Sequence, residues 1–112
     1  IWALCAERSE DAWFHALSRE HWRMGRLRGE LAPLQDPALL AARGFRTDDS
    51  AALAQMRRAA FVGSPDEVAQ KIRALAAALE LDEVVVNSWS FDPQVRRTSY
   101  TLLARAFGQA GG

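Results

Sequence analysis

Two short apolar runs are the first feature of the pattern of hydrophobic and polar positions. Residues 1–6, Ile-Trp-Ala-Leu-Cys-Ala, form one run that ends at Glu7, and Val84–Val86 form the other. Neither run alternates between apolar and polar residues, as a strand with one face in water does. Uninterrupted apolar strands are typical of parallel sheets, which are covered on both faces. We therefore predict a strand in each run, with other elements covering both of its faces.

Amphipathic spacing predicts four helices around these runs. The strongest start signal is Ser64, which is followed by Pro65 at the first helical position and Glu67 at the third. This is a capping box, in which the two polar side chains satisfy backbone N–H groups that the first turn leaves unpaired. The first predicted helix has Ser9 as its N-cap, and the second covers Ala51–Ala60. The third starts after Ser64, and the fourth starts at Asp92-Pro93 and continues to Phe107.

The predicted order is strand, helix, irregular insertion over 31–49, two helices, strand and helix. Strands that alternate with helices indicate an α/β fold with a parallel sheet. Two strands would leave both sheet edges unpaired, and a (β/α)8 TIM barrel takes about 250 residues. We therefore expect residues 1–112 to be one partial domain, the C-terminal fragment of such a barrel with its last two parallel strands and their helices. Unpaired edges also predict a homo-oligomer, and residues 108–112 are expected to form a flexible tail.

Composition narrows the classes of partner. The 14 lysines and arginines balance 14 aspartates and glutamates, so the net charge is zero. Nucleic-acid-binding proteins carry a basic excess, and the composition therefore does not favour a nucleic-acid partner. No apolar run approaches the roughly 18 residues of a membrane-spanning helix, and the first residues lack the blocks of a signal peptide. We expect a cytoplasmic protein without a membrane partner, and the single cysteine, Cys5, fits a reducing compartment.

The residues that could ligate a metal or act as a nucleophile form no recognisable motif. His15 and His21 are six positions apart, which places them on different faces of a helix without the spacing of zinc ligands. We therefore expect no metal site. Cys5 lies inside an apolar strand, where a small core residue is a better interpretation than a reactive thiolate. Arg19, Arg23 and Arg26 lie largely off the apolar stripe of the first helix, and the arginines from 23 to 28 are interpreted as a solvated face or the hinge of the insertion.

Several segments resemble one enzyme family. They are residues 1–7 as a strand, Arg-Leu-Arg-Gly-Glu-Leu-Ala-Pro-Leu at 26–34, Val-Gly-Ser-Pro-Asp-Glu-Val at 62–68 and Ser-Tyr-Thr-Leu-Leu-Ala at 99–104. In this order and at these separations they resemble the C-terminal end of bacterial luciferase-like flavin-dependent monooxygenases. The resemblance is clearest at the capping box and at Arg97–Tyr100, and weakest from Ala38 to Ala59.

The resemblance implies a barrel that binds reduced flavin mononucleotide (FMN), which reacts with oxygen to oxidise a small organic substrate. A flavin reductase is then a candidate partner. Functional groups of such barrels follow the carboxyl ends of the strands. The implied cofactor contacts are Asn87, Ser88 and Trp89, and the implied substrate mouth consists of Glu7, Arg8, Ser90 and Phe91. The catalytic residues are not identified, and the chain alone is expected neither to bind FMN tightly nor to be active.

Alternative interpretations remain open at these positions. Trp89 could pack against the last helix, and Asn87 and Ser88 could serve a turn. The family often carries Thr-x-Thr-His-Asp after the last strand, whereas this chain has Phe91 at the histidine position. A second hypothesis is therefore a non-catalytic relative or companion subunit without flavin, and a third is a free-standing helical interaction module. The insertion at 31–49 is a hypothetical lid over the substrate mouth.

Overall fold

Two short parallel strands lie side by side at the centre of the structure, a computed structural model that describes residues 1–108. Strand β1 covers Ala3–Cys5 and strand β2 covers Phe61–Gly63, with Leu4 opposite Val62. Within the described range the helices are α1 (Ser9–Leu27), α2 (Pro37–Arg43), α3 (Ser50–Ala59), α4 (Pro65–Ala78) and α5 (Pro93–Ala106), and a 3-10 turn covers Thr47–Asp49.

Alternate residues of β1 contact helices on opposite faces of the sheet. On one face, Ala3 and Cys5 are buried in a cluster that α4 and α5 complete with Val68, Ile72 and Leu103. On the other face, Leu4 and Val62 are buried against α1 at Ala12 and Ala16. A two-stranded sheet with three residues in each strand is at best marginally stable by itself. Burial of these side chains between helical layers therefore stabilises the sheet.

The prediction of a strand at Val84–Val86 is wrong. Val84 and Val86 pack against the core, whereas Val85 is 72% exposed, so only one side of this segment is covered. The segment forms no strand ladder, although the amino group of Ile1 donates to the backbone oxygen of Val85 at 2.7 Å and Asn87 forms an isolated parallel bridge with Trp2. The strand that pairs with β1 is Phe61–Gly63, which the hydrophobic pattern did not separate from the helix start that follows it.

The predicted TIM-barrel fragment is also wrong. Residues 1–108 form a small α/β unit with five α-helices and one two-stranded parallel sheet. The apolar run at the start of the chain suggested a strand that needs cover from elsewhere. In the structure α1 turns back from the carboxyl end of β1 and buries Leu4, while α4 and α5 bury Ala3 and Cys5. The chain therefore covers both faces of β1 itself.

The capping box at the start of α4 is confirmed. The backbone N–H of Ser64 donates to Oε1 of Glu67 at 3.0 Å, and the backbone N–H of Glu67 donates to Oγ of Ser64 at 3.5 Å. The hydrogen bond with the Ser64 backbone lowers the pKa of Glu67 most, and the one with the Ser64 side chain lowers it further. Gly63 has a φ of +152°, and a Cβ at this position would lie 3.0 Å from Oε1 of Glu67. Glycine therefore leaves the space in which the Glu67 carboxylate caps the helix.

The other predicted helix starts differ in outcome. Asp92 is confirmed as the N-cap of α5, since its carboxylate accepts a hydrogen bond from the backbone N–H of Gln94 at 2.8 Å. Ser9 is not the N-cap of α1, because it is already the first helical residue and Arg8 occupies the cap position without a side-chain cap. Arg8 instead pairs with Glu10 in the first turn.

The insertion at 31–49 contains α2 and the 3-10 turn, and it lies on α1. Leu40 of α2 is buried, and Oγ of Ser18 in α1 donates a hydrogen bond to the backbone oxygen of Gln35 at 2.6 Å. Of the predicted tail, all but Gly108 lies outside the described residues. None of the helices in residues 1–108 has the length and apolar character needed to cross a membrane.

Candidate functional site

Asn87 and Ser88, two of the predicted cofactor contacts, join the outer edge of β1. The backbone N–H of Ala3 donates to the oxygen of Asn87 at 2.9 Å, and the N–H of Asn87 donates to the oxygen of Ile1 at 2.9 Å. Asn87 is exposed, while Ser88 is fully buried. The two residues therefore separate at this point, one toward solvent and one toward α5.

The hydrogen-bonding groups of Ser88 are used inside the fold. Its backbone N–H donates to Oη of Tyr100 at 2.9 Å, and its Oγ accepts from Oγ of Ser99 at 3.3 Å. Oγ of Ser99 in turn accepts from the backbone N–H of Cys5 at 2.9 Å. This network ties the 87–88 segment and β1 to α5. Ser88 therefore does not fit the predicted role of a flavin contact.

Replacing Ser99 by alanine is expected to lower the free energy of unfolding by about 1–2 kcal/mol, because it leaves the buried N–H of Cys5 without an acceptor. The matched control is Thr98→Ala on the preceding, less buried position of α5, whose Oγ takes part in an exposed hydrogen bond with Gln94. Urea unfolding of both variants measures the difference. Equal losses in the two variants would show that the Ser99 network contributes no specific stability.

Cys5 is a core residue, as the sequence indicated. Its side chain is fully buried, and burial, with a smaller effect from the charge of Asp66, raises the pKa of its thiol to about 12. The thiol is therefore protonated at neutral pH. A protonated and buried thiol is neither a nucleophile nor a metal ligand.

Trp89, the third predicted cofactor contact, belongs to an aromatic cluster. Its ring centroid lies 5.8 Å from that of Trp2 and 5.4 Å from that of Trp22 on α1, the second in an edge-to-face arrangement. The indole N–H of Trp2 donates to the backbone oxygen of Trp89 at 2.9 Å. Because these contacts engage the Trp89 ring within the fold, it does not provide a free surface for a flavin ring. The structure favours the alternative of a packing role, with contacts to Trp2 and to Trp22 of α1.

Arg19 lies on this aromatic cluster. Its guanidinium carbon is 4.4 Å from the ring centroid of Trp2 and 5.8 Å from that of Trp89. The Nε atom is buried and forms no hydrogen bond. Within residues 1–108, the side chain of Arg19 has no carboxylate at ion-pair distance, and the adjacent Glu20 is bound by both Nε and Nη2 of Arg57 at 2.6 and 2.9 Å. Arg19 is therefore a half-buried cation that the described part of the chain leaves without an anion.

Burial lowers the pKa of the Arg19 guanidinium to about 10, the like charge of Arg23 lowers it as well, and Glu20 raises it. At neutral pH the group still carries its positive charge. Both lowering effects measure how unfavourable the environment of this charge is. An anion bound nearby would offset both of them.

A groove of about 460 Å³ opens beside Arg19 between the second half of α1 and α3. This volume is within the usual range of small-molecule sites. Arg19 and Arg23 provide its charge, and the other lining residues are apolar or neutral: Ile1, Trp2, Met24, Leu27, Ala52, Gln55, Met56, Ala59, Ala60 and Phe61. We call this site the Arg19 groove. It lies at the end of the sheet where β1 and β2 begin.

The predicted substrate mouth does not form a site with the Arg19 groove. Glu7 and Arg8 are exposed at the other end of β1, and Phe91 is 45% exposed. Oγ of Ser90 donates to the backbone oxygen of Asp92 at 2.7 Å and so helps to form the turn before α5. None of these four residues lines the groove.

His21 occupies a separate environment beneath the insertion. Its ring stacks on Phe45 with centroids 3.9 Å apart, and its Nε2 is buried without a hydrogen-bond partner. Burial lowers the pKa of His21, and the nearby guanidinium of Arg43 contributes to the same effect. Arg28 contributes less, since its charge is paired with Asp49 at 2.6 Å, and the charges of Glu20 and Asp49 oppose the shift.

Protonation of His21 is expected to destabilise the fold as the pH decreases. Because the folded pKa is lower than the unfolded value of 6.5, the unfolded chain binds the proton first, and stability present above this pH is lost below it. His21→Gln should therefore lose less stability than the wild type between about pH 7.5 and about pH 5. Denaturant unfolding across this interval measures the slope. An unchanged slope in the variant would contradict the assignment.

Sequence inspection assigned Arg19 only to the polar side of α1. The sequence nevertheless indicates that Arg19 has no ion-pair partner on its own helix. The positions three and four residues away are His15, Ala16, Trp22 and Arg23, so no carboxylate lies within reach on the same helix. An arginine flanked in this way by aromatic and basic residues has no local ion pair. Its contacts with Trp2 and Trp89 depend on the tertiary fold and were not predictable.

Comparison with known proteins gives a limited set of relationships. No family model matches the chain. The uncharacterized protein YceB of Bacillus subtilis (strain 168) is 29% identical over 109 residues, which cover 96% of this chain and 32% of YceB. The crystal structure of apo-MsnO8 matches with a TM-score of 0.83 and 25% identity, over 98% of this chain and 34% of that protein. The chain therefore shares the fold of part of apo-MsnO8, and it spans about a third of the length of both proteins.

Proposed function

We propose that this chain is the substrate-holding part of a flavin-dependent monooxygenase of the luciferase-like kind. The resemblance of the sequence segments carries the reaction class. The Arg19 groove, which lies at the opposite end of the sheet from the mouth that the resemblance implies, carries only the substrate-holding role, because it combines an apolar surface of ligand size with a cation that has no carboxylate partner in residues 1–108. The resemblance of the capping box and of the start of α5 to this family supports the reaction class. The likeness to only a third of YceB and apo-MsnO8 is consistent with a part that acts together with other residues.

The flavin contacts are assigned to no residue of this chain. FMN requires hydrogen-bond donors for its ring and a flat surface against which the ring can pack. Ser88 uses its polar groups on Ser99 and Tyr100, and Trp89 is packed against Trp2 and Trp22. Ser88 and Trp89 therefore do not fit the cofactor, whereas Asn87, the third implied contact, is exposed and stays a prediction.

The groove can contribute to such a reaction by binding and by excluding water. Apolar walls at Met24, Met56 and Phe61 favour the body of an organic substrate, and their burial by that substrate removes water from the site. A charged group at one end fixes the orientation of the substrate. Oxygen and, in some enzymes of this kind, a flavin reductase would be the remaining partners that this proposal requires.

The proposal is tested by titrating reduced FMN, without oxygen, into the protein expressed from its complete open reading frame. We expect saturable binding of one FMN per chain, measured by separating free from bound flavin in a gel-filtration column. Consumption of oxygen by the reduced complex, with oxidation of an added organic acid, is the expected activity. Absence of saturable binding would overturn the proposal.

A second candidate function is favoured by specific observations. Phe91 stands where the family often has histidine, and Ser88 is committed to the core. Both agree with a non-catalytic companion subunit that has kept the fold and does not bind flavin. The same titration separates the two candidates, because the companion subunit would bind no FMN and would instead copurify with a flavin-binding chain.

A further inference from the structure

We infer that the Arg19 groove binds an organic acid, with its oxyanion on Arg19 and its apolar body along the walls of the groove. The inference adds a class of ligand to the proposed function. It rests on that function only where the ligand is called a substrate. The binding itself follows from the groove and does not depend on a flavin.

The charge of Arg19 is the first argument. Arg57 binds Glu20 at 2.6 Å and Arg28 binds Asp49 at 2.6 Å, whereas Arg19 has no carboxylate at ion-pair distance in residues 1–108. Arg19 is half-buried, contacts two indole rings and has a buried Nε atom without an acceptor. A buried donor without a partner is unfavourable, and a charged one more so. An oxyanion in the groove would supply the missing counter-charge to the guanidinium group.

A second arginine lies beside Arg19 in the groove. Arg23 lies one helical turn after Arg19 and lines the same groove, where no acidic residue lies. Both side chains belong to α1 and line the groove, so one ligand can accept hydrogen bonds from both guanidinium groups. This donor pattern matches the oxygens of a carboxylate or a phosphate, which guanidinium groups bind through paired hydrogen bonds.

The remaining walls indicate what carries the oxyanion. Ile1, Met24, Leu27, Met56 and Phe61 line the groove, and methionine adapts to ligands of different shape. A free inorganic ion would leave these side chains in water. A flat or aliphatic body of the size of two fused rings would cover them, with the acid group at the arginine end.

Calorimetric titration of three probes into the protein from the complete open reading frame tests the inference. The probes are 2-naphthoate, 2-naphthyl phosphate and the neutral 2-naphthylmethanol, which share one apolar body. We expect at least one of the two acids to bind once per chain, at least about tenfold more tightly than the alcohol, because of charge-assisted hydrogen bonds. Either acid as the tighter ligand supports the inference and identifies the oxyanion as carboxylate or phosphate.

Arg19→Gln should remove the preference for the acids and leave the affinity for the alcohol unchanged, which also shows that the groove is intact. The matched control is Arg26→Gln, since the Arg26 guanidinium lies 5.1 Å from the Trp22 ring on the same helix but does not line the groove. Arg26→Gln should keep the full preference. If Arg19→Gln does not fold, Arg23→Gln replaces it, with a smaller expected loss.

Equal affinities for acid and alcohol in the wild type would overturn the inference, and so would a preference that persists in Arg19→Gln. Absence of binding by all three probes would also overturn it, as expected if another part of a longer protein or a second copy fills the groove. Failure of this inference and failure of the proposed function give different combinations of acid binding and FMN binding. Acid binding without FMN binding contradicts the flavin-dependent reaction and leaves this inference standing. FMN binding without acid binding contradicts this inference and the substrate-holding role, and leaves the flavin-dependent reaction standing.

Discussion

Replacing Leu4 by alanine is expected to lower the free energy of unfolding by about 3 kcal/mol. Leu4 is fully buried in the middle of β1, where it packs with Val62 of β2 against Ala12 and Ala16 of α1. The two alanines are small, so the helix backbone lies close to the sheet and the neighbouring strand restricts its movement. We therefore expect the cavity to remain largely open, which places the loss above the minimum for removing the side-chain carbons alone.

The measurement is urea unfolding, with the midpoint shifted and the slope unchanged. Leu39→Ala on α2 is the matched control, because Leu39 is 62% exposed and its truncation should change stability by no more than about 0.5 kcal/mol. Similar losses in the two variants would contradict the position of Leu4 between the sheet and α1. They would then favour an arrangement in which α1 does not cover this face.

Replacing Arg57 by methionine is expected to cost about 2 kcal/mol, because it leaves the Glu20 carboxylate buried without its cation. The side chain of Glu20 is only 5% exposed, and Arg57 binds it with two nitrogens, which raises the pKa of Arg57. The loss is set below that of a fully buried pair because the Arg57 side chain is 42% exposed and partly screened by water. This pair joins α1 to α3, the two helices that border the Arg19 groove.

Two variants control for this interpretation. Arg58→Met removes a neighbouring exposed arginine for which no ion pair is observed in residues 1–108, and it should leave the unfolding midpoint unchanged. The double substitution of Glu20→Met and Arg57→Met should recover most of the loss, because it removes the buried charge together with its partner. A double variant as unstable as Arg57→Met alone would show that the cost has another origin.

Helix starts were predictable because their signals are local. Ser64, Pro65 and Glu67 lie within four residues, and the hydrogen bonds that they form are the ones that this spacing implies. Asp92 and Pro93 behave in the same way. At Ser9 the residue type was right for a cap, but the helix begins one residue earlier than a cap at this position allows.

The sheet was only half predictable, because its second strand is short and its pairing is non-local. Phe61–Gly63 has three residues and leads directly into a helix, so no alternation could be recognised. Val84–Val86 has the composition of a strand, yet the outward direction of Val85 shows that it is an edge segment covered on one side. The predicted number of strands, two, agrees with the structure. The barrel prediction arose because two strands leave both sheet edges unpaired, so that further strands were expected beside them.

The candidate site was the least predictable part. The sequence placed the function after the two predicted strands, at Asn87–Phe91 and at Glu7 and Arg8. The structure uses Ser88 and Trp89 to connect elements, and the groove instead forms where the ends of α1 and α3 meet the beginning of β1. Trp89 remains near the site, since its ring centroid lies 5.8 Å from the guanidinium carbon of Arg19.

The division of roles between flavin and groove is tested most directly by a calorimetric titration of 2-naphthoate into the protein already saturated with reduced FMN. We expect naphthoate to bind with the affinity that it has without FMN, and Arg19→Gln to weaken naphthoate binding while leaving FMN binding unchanged. Loss of naphthoate binding in the FMN complex, together with weaker FMN binding in Arg19→Gln, would contradict this and identify the groove as the flavin site.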